Sequence, residues 1–506
     1  MNKTKNVVSN VAWGIISKSV NIVLPFITRT ILIRKLGIEY AGVSSLFTSL
    51  LNFLSITELG IGSALVYSMY KPIAENNTED ICRLLNFYRK CYKVIGVITL
   101  AVGMIMLPFI DYLVKGDVPH GINLRILFLI YLTNAVIGYF LFAYKQSLFL
   151  ASQQVRVTSR INIISSVFMN LVQILSLIFV ADYYVYVFII PVSTAVNNIC
   201  TGVLSKKAFP QYVCKGEIYD SEKQQMKKKV TGLLFQKIGN VVLKSVDTIV
   251  ISAFLGLNTL GVYNGYFYIV TAVESFIAVV SQSLIPTVGN CVISSDVEEN
   301  YQLFKRLHFV YFWVLTVCSV CMMCLFQPFM KMWQGEKNVF DLDVVCIIVI
   351  MFFLYRIIDV VYVFSDALGL WWKAKYVTIL AATTNLFFNL VLVNIIGIYG
   401  IMLSTIVSLV LVYYTLYTRV LFLEYFKSIE KWMKFLLSLI LYFVIAFLIV
   451  GGTYMICSVL PFSGFALLVV RMLVCLTFPN LILWLLYRKD SKYLYFRKMI
   501  FKYIGR

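Results

Sequence analysis

Long apolar stretches recur along almost the whole chain and constrain its fold more than any other feature. A membrane-spanning helix needs roughly 20 mostly apolar residues. Of the 506 residues, 60% are hydrophobic and only 13% are charged, about half the charged fraction of an average soluble domain. We therefore predict an all-α polytopic membrane protein with about fourteen spans. These lie near residues 10–33, 41–68, 92–114, 123–146, 159–180, 183–205, 230–254, 259–288, 307–330, 343–366, 375–396, 398–420, 432–458 and 463–487.

The charged residues predict the orientation of these spans. Lys and Arg number 44 against 24 Asp and Glu, for a net charge of +20. Most of the cations lie in short connectors on one side of the predicted spans, and such connectors are retained in the cytoplasm. We therefore predict that both termini are cytoplasmic. The same distribution accounts for the basic charge without a nucleic-acid partner, and none is expected.

An internal repeat relates the start of the chain to a segment 219 positions later. VAWGIISKSVNIVL (11–24) aligns with VTGLLFQKIGNVVL (230–243), and LGIEYAGV (36–43) aligns with LGLNTLGV (255–262). Nine of the 33 aligned positions are identical, without a gap. The identical pairs include two intramembrane polar residues and two glycines, namely Lys18/Lys237, Asn21/Asn240, Gly37/Gly256 and Gly42/Gly261. Six predicted spans separate the copies, so both enter the membrane in the same direction.

Such parallel repeats are typical of transporter bundles, in which the substrate site lies between the halves near the bilayer midplane. We predict two six-helix lobes around a central cavity, followed by two further helices. The predicted boundaries are an N-lobe at 1–205, a basic cytoplasmic linker at 206–229, a C-lobe at 230–424, two helices at 425–487 and a basic cytoplasmic tail at 488–506.

The first and seventh predicted spans carry polar side chains on one helical face. Lys18, Asn21, Pro25 and Arg29 are spaced 3, 4 and 4 residues apart, and Lys237, Asn240, Lys244 and Asp247 are spaced 3, 4 and 3 apart. Residues at these spacings share a face. A cation at a helix centre costs roughly 2.5–3.5 kcal/mol to insert, and such residues face a bundle interior or a water-filled cavity.

Few acidic residues are available to neutralise these cations. Glu58 and Asp247 are two fewer than the four cations of the first and seventh spans, so we predict that the excess binds an anionic substrate group. The predicted binding residues are Lys18, Asn21, Arg29, Lys237, Asn240 and Lys244. Pro25 removes a backbone hydrogen bond and is a candidate hinge.

The carboxylates have two open interpretations. Glu58, Asp247 and Glu274 are candidates for charge pairing or for coupling to H⁺ or Na⁺. Arg356 and Asp359 lie at i and i+3 of one predicted span, a spacing typical of a structural salt bridge.

The eleven cysteines fall mostly in apolar spans. Cys318, Cys321 and Cys324 are spaced like ligands, but no histidine or carboxylate stands beside them at zinc-like spacing. We interpret them as packing residues and predict no metal and no cofactor.

The run LGIEYAGVSSLFTSLLNFLSITELGIGSALVYSMYKPIAENN (36–77) and the segment KIGNVVLKSVDTIVISAFLGLNTLGVYNGY (237–266) resemble Wzx-type polysaccharide flippases. These belong to the multidrug/oligosaccharidyl-lipid/polysaccharide (MOP) flippase superfamily. The resemblance implies translocation of undecaprenyl-pyrophosphate-linked oligosaccharide across the bacterial cytoplasmic membrane by alternating access. It also implies contact with membrane lipids and work beside a polysaccharide polymerase and export machinery. A groove for the lipid tail at 432–458 and 463–487 is implied by related lipid II flippases.

Two other functions are also compatible with the sequence. A multidrug exporter of the same superfamily has the same architecture, although organic cations favour acidic rather than basic lining residues. An integral-membrane polymerase or glycosyltransferase usually places its catalytic residues on sizeable outer loops. The outer loops here are short, so we predict that the protein is not an enzyme.

Overall fold

The computed structural model describes residues 3–55, 61–116, 118–370 and 373–504. Within these ranges it leaves out the side chains at 3–12, 14–15, 61, 63–64, 155, 220–222, 224–238, 240, 244 and 499–504. The described residues are almost entirely helical and include no strand. They form two compact units, Met1–Gly261 and Val262–Arg506. The all-α class predicted from the sequence is confirmed.

The first unit is built from helices joined mostly by short turns. In chain order they are α1 (Lys3–Lys35), α2 (Ile38–Leu54), α3 (Ile61–Ala74), α4 (Thr78–Met106), α5 (Leu124–Phe140), α6 (Gln146–Ala151), α7 (Val155–Phe179), α8 (Tyr183–Ala208) and the first part of α9 (Asp220–Ser294).

The second unit begins within α9. It continues with α10 (Val297–Gln334), α11 (Leu342–Ile357), α12 (Asp359–Ala367), α13 (Lys375–Ile396), α14 (Ile398–Ser408), α15 (Thr418–Glu424), α16 (Ile429–Ser458), α17 (Gly464–Tyr487) and α18 (Ser491–Ile504). A π-helical segment, Leu409–Tyr417, joins α14 to α15.

Eleven of the described helices are long and apolar enough to cross a membrane, or twelve if α5 and α6, bent by 49°, form one span. Two features account for the difference from fourteen. The predicted spans 230–254 and 259–288 are joined end to end within α9, and the predicted span 41–68 lies partly outside the described residues. The chain is a multi-pass membrane protein.

Two glycines at equivalent repeat positions allow breaks in the backbone. Gly37 separates α1 from α2 at a φ of 119°, and Gly256 interrupts α9 at a φ of 88°. Residues with a Cβ rarely adopt this left-handed region. The same local sequence, LG followed by a second helix, therefore produces the same turn in both copies of the repeat.

Short polar side chains begin several helices. Asn77 accepts a hydrogen bond from the backbone N–H of Asp80 at 3.1 Å, and Asp182 accepts one from Val185 at 2.9 Å. These N-caps satisfy backbone donors that the first helical turn leaves without partners. They fix the starts of α4 and α8.

The connector between α8 and α9 packs on α4. Asn86 donates to the carbonyl oxygen of Gly216 at 2.7 Å, and Lys90 lies 2.7 Å from a carboxylate oxygen of Glu217. Ile218, 5% exposed, joins the apolar cluster beneath them. The connector is thus docked on the first unit, while the lobe and linker boundaries drawn from the repeat remain a prediction.

Aromatic side chains form the core of the second unit near the start of α10. The ring of Phe304 lies 5.4 Å, centre to centre, from each of the rings of Phe364, Phe422 and Phe435. Edge-to-face pairs at this separation are favourable beyond the area they bury. They fix the position of α10 against α12, α15 and α16.

Candidate functional site

The predicted polar face of α1 lies within one continuous helix. Lys18 is half-buried, and Asn21 is exposed and donates to Ser17 Oγ at 3.4 Å. Pro25 lies inside α1 and is partly buried. Because proline has no N–H, α1 lacks the hydrogen bond that would otherwise end on the carbonyl of Asn21. Lys18 and Asn21 therefore lie one to two turns from a locally weakened point of the helix.

The C-terminal part of α1 is anchored by two hydrogen bonds. Thr28, 2% exposed, donates to Asn170 Oδ1 of α7 at 2.8 Å. Arg29 donates through Nη2 to the backbone oxygen of Gly261 at 3.2 Å. Arg29 thus contacts the second copy of the repeat, at the carbonyl of one of its matched glycines.

The two copies of the repeat touch through reciprocal glycines. A Cβ on Gly42 would lie 2.3 Å from the oxygen of Leu257, and a Cβ on Gly261 would lie 2.4 Å from the oxygen of Ile38. Under the 219-position shift, Gly42 corresponds to Gly261 and Ile38 to Leu257. The contact is therefore symmetric in sequence, and it requires both glycines because any side chain would displace the opposing backbone.

A second polar face, on α7, was missed by the sequence reasoning. Asn162, Ser166, Asn170 and Gln173 are spaced 4, 4 and 3 residues apart, and such residues share one side of a helix. Asn162 accepts from Asn197 of α8 at 3.4 Å, and Gln173 donates to the oxygen of Tyr186 at 3.1 Å. The spacing is visible in the sequence, but because these residues are uncharged it does not distinguish a functional face from a packing face.

The predicted residues of the second repeat copy are only partly described. Glu58 lies outside the described residues, and so do the side chains of Lys237, Asn240 and Lys244. Asp247 is buried, at 7% exposure. The assignments made for these residues from the sequence remain predictions.

In the second unit, one guanidinium lies between two carboxylates. Arg356 Nη2 is 2.9 Å from Glu274 Oε2, and Arg356 Nη1 is 3.4 Å from Asp359 Oδ2. The three side chains are 7–16% exposed. The i, i+3 pair predicted from the sequence is thus present and extends to Glu274 of α9. With both acids ionised, this Glu274–Arg356–Asp359 group carries one negative charge in a buried site.

The group lies at a break in the helical backbone. Ile358 separates α11 from α12, with φ −90° and ψ 3°. Tyr414, in the π-helical segment, donates to the oxygen of Leu354 at 2.6 Å. Broken spans and π-helical segments recur at the functional sites of transporters and other proteins, because they release backbone groups from the helical pattern.

Amides and hydroxyls join α13 to α14. Asn389, which has no measurable exposure, donates to Asn385 Oδ1 at 3.2 Å and accepts from Ser404 Oγ at 2.5 Å. Asn385 donates to Thr405 Oγ1 at 3.0 Å. Buried polar groups are stable in a membrane only when they are hydrogen-bonded, and this network meets that condition.

Of the three cysteines spaced like ligands in α10, Cys324 lies in a sulfur cluster with two cysteines from other helices. The sulfur of Cys324 lies with those of Cys457 and Cys475, all within 4.8 Å of one another and all buried. They come from α10, α16 and α17, which pack together. Arg471 of α17 donates to the oxygen of Cys324 at 2.9 Å beside them.

The family follows from comparison with known sequences. A sequence model of the family described as "Polysaccharide biosynthesis protein" matches residues 7–292, more than half of the chain. The chain belongs to this family. Among curated proteins, none matches the sequence significantly.

Solved structures share the fold at low sequence identity. A structure titled lipid II flippase MurJ, inward closed conformation, superposes with a TM-score of 0.68 at 12% identity, over 95% of this chain and 99% of that one. An inward-facing multidrug resistance MATE family transporter of the MOP superfamily gives 0.63 at 13% identity, over 84% and 99%. A MOP superfamily transporter from Pyrococcus furiosus gives 0.53 at 14%, over 83% and 96%.

The chain thus belongs to the polysaccharide biosynthesis family and has the fold of these flippase and transporter structures. Both findings agree with the resemblance to Wzx-type proteins of the MOP superfamily noted in the sequence. The solved structures that share the fold are transporters and flippases rather than enzymes.

Proposed function

We propose that the protein translocates an undecaprenyl-pyrophosphate-linked oligosaccharide across the bacterial cytoplasmic membrane, with both termini in the cytoplasm. The observation that carries this proposal is the half-buried cation Lys18 within the span Ile16–Lys35, repeated in sequence by Lys237. Charged side chains inside a span are rare and mark functional sites by default, and a lysine at such a site can bind a pyrophosphate. Lysine and arginine bind phosphate oxygens through charge-assisted hydrogen bonds.

The uncharged polar face of α7 supports a glycan as the rest of the cargo. Asn162 and Ser166 are partly exposed, and an amide and a hydroxyl can both donate to and accept from sugar hydroxyls. Asn170 and Gln173 are buried and hold the face in place. It packs beside α1 through the hydrogen bond between Thr28 and Asn170. A cation for the headgroup and neutral polar groups for the sugars thus lie on neighbouring helices of the first unit.

The glycine contact supports alternating access. In the topology predicted from charge, Gly42 and Gly261 lie toward the outer side of the membrane. Their contact closes the space between the repeat copies at that side, and release of cargo outward requires it to open. A close backbone contact of this kind is either packed or separated, and a conformational switch requires two such discrete states.

The Glu274–Arg356–Asp359 group supports coupling to H⁺ or Na⁺. Binding of one cation to its surplus carboxylate neutralises the group, while release restores the charge. The adjacent break at Ile358 provides a backbone that can respond to that change. Partnership with a polysaccharide polymerase and export machinery follows from the proposed substrate, since translocated repeat units must then be joined.

Deletion of the gene followed by analysis of lipid extracts tests the function directly. We expect lipid-linked repeat units to accumulate on the cytoplasmic side and surface glycan to fall, both restored by the wild-type gene. Unchanged lipid pools and surface glycan would contradict the proposal. Export of a cationic dye by the purified protein, with unchanged glycan pools, would instead identify a multidrug exporter.

A further inference from the structure

A separate cavity lies at one membrane face of the second unit. It encloses about 380 Å³ and is lined by the N-terminal parts of α10, α16 and α18. Because α10 and α16 begin at this end and α17 ends just before α18, these termini mark a single face of the membrane. The volume falls near the lower end of the range for ligand sites.

Four lysines line this cavity: Lys305, Lys431, Lys434 and Lys492. Two have carboxylate partners, since Lys431 lies 2.6 Å from Glu298 and Lys434 lies 2.5 Å from Glu430. Among the described residues, no carboxylate lies within salt-bridge distance of the Nζ of Lys305 or Lys492. The lining therefore carries an excess of two positive charges.

The two remaining ammonium groups are held against aromatic rings. Lys305 Nζ lies 4.8 Å from the ring centre of Tyr301, which Lys431 Nζ also approaches to 4.7 Å. Lys492 Nζ donates to the hydroxyl of Tyr442 at 3.4 Å. A bound anion would supply Lys305 and Lys492 with the counter-charge that no carboxylate within salt-bridge distance provides among the described residues.

A buried histidine forms the floor. His308 is 3% exposed, and its ring packs 5.0 Å from Phe435 and 5.1 Å from Tyr442, centre to centre. His308 Nε2 has no hydrogen-bond partner among the described residues. A buried polar atom left without a partner is unfavourable. An oxygen of a bound anion would satisfy it.

We propose that this cavity binds the phosphate of an anionic lipid headgroup. Lys305 and Lys492 supply the charge, and His308 donates through Nε2 to a phosphate oxygen. Apolar surface for the acyl chains continues from the cavity, because Leu437 of α16, three residues beyond Lys434, is 62% exposed. Basic pockets between spanning helices on the cytoplasmic side commonly hold lipid phosphates. The site is independent of the transported substrate.

The test uses the full-length protein in neutral detergent, with thermal unfolding followed during titration by phosphatidylglycerol, phosphatidylcholine or inorganic phosphate. We expect phosphatidylglycerol alone to raise the melting temperature, and native mass spectrometry to show one retained lipid per chain. The double variant Lys305→Gln/Lys492→Gln should bind phosphatidylglycerol about tenfold more weakly. His308→Phe, which preserves the ring packing, should also weaken binding.

The matched control is Lys331→Gln/Lys337→Gln, which removes two exposed lysines at the opposite end of α10. It should bind phosphatidylglycerol as the wild type does. Equal weakening in both double variants would overturn the assignment to this cavity. A response to inorganic phosphate with none to phosphatidylglycerol would overturn the lipid assignment. If the lysine variant fails to fold, native mass spectrometry of the wild type still tests whether one phosphatidylglycerol is retained per chain.

Discussion

Gly42 and Gly261 occupy equivalent positions in a reciprocal contact between two copies of one repeat. Each faces a backbone carbonyl of the other copy. A Cβ added to either glycine would lie only 2.3 or 2.4 Å from the opposing carbonyl oxygen. The identity of these glycines in the aligned sequences thus has a steric cause. Neither copy can accept a side chain without separating the two segments.

Gly42→Ala or Gly261→Ala should therefore open this contact. Overpacking costs typically 1–3 kcal/mol, and here the strain falls on the closed state. We expect a lower melting temperature and faster labelling of an Ile38→Cys probe, which is 6% exposed in the parent, by an impermeant maleimide. Gly289→Ala, where a Cβ meets nothing within 4 Å, is the control. Unchanged labelling in both glycine variants argues against a closed contact.

The hydrogen bond between Thr28 and Asn170 should couple α1 to α7 measurably. Double-mutant cycles of such bonds in membranes average about 0.6 kcal/mol. We expect a coupling free energy of that size from Thr28→Val, Asn170→Leu and the double variant, measured by reversible unfolding in detergent. Among the described residues, the Thr133 hydroxyl bonds within its own helix, to the oxygen of Leu129 at 2.7 Å. Thr133→Val should show no coupling to Asn170→Leu, and equal coupling at both threonines would rule out the direct bond.

Arg356→Gln should be among the most destabilising single changes in the second unit. It leaves Glu274 and Asp359 buried without their cation, and breaking a buried pair in this way costs about 3–5 kcal/mol. Neutralising all three residues, with Arg356→Gln, Glu274→Gln and Asp359→Asn, should recover much of the lost melting temperature. If the triple variant is no more stable than Arg356→Gln, charge imbalance is not the cause of the destabilisation by Arg356→Gln.

Asp359→Asn tests the coupling role of the same group. The remaining Glu274–Arg356 pair is neutral, so the variant should fold with a melting temperature near that of the wild type. We expect glycan translocation in vesicles to lose its dependence on an imposed ion gradient. Asp111→Asn, which disrupts an exposed ion pair with Arg125, should keep gradient-dependent translocation. Gradient-dependent transport by Asp359→Asn would exclude this carboxylate as the coupling site.

Local patterns predicted much of this structure. Apolar length predicted the helices, and the 219-position repeat aligned Gly37 with Gly256, where the structure has matching turns. The i, i+3 spacing predicted that Arg356 faces Asp359. Each of these features depends on residues close in sequence or on aligned segments. In a helix, the spacing of two nearby residues determines whether they share a face.

Contacts between distant segments were not predictable in this way. Glu274 reaches Arg356, and Cys324 reaches Cys457 and Cys475, only because of how the helices pack. The break at Ile358 has no proline or glycine to mark it, and the left-handed Phe142 (φ 45°) between α5 and α6 is equally unmarked. The polar face of α7 was readable from its spacing but carries no charge.

The proposed function is that cations on the repeated helices carry an anionic lipid-linked glycan across the membrane. Its most direct test measures the fraction of lipid-linked repeat units exposed on the outer leaflet, in cells expressing the wild type, Lys18→Ala/Lys237→Ala, or Lys71→Ala as a control at an exposed lysine. We predict at least about a tenfold loss for the double variant, partial recovery with Lys18→Arg/Lys237→Arg, and no loss for Lys71→Ala. Full translocation by a stably folded Lys18→Ala/Lys237→Ala protein would contradict the proposed function.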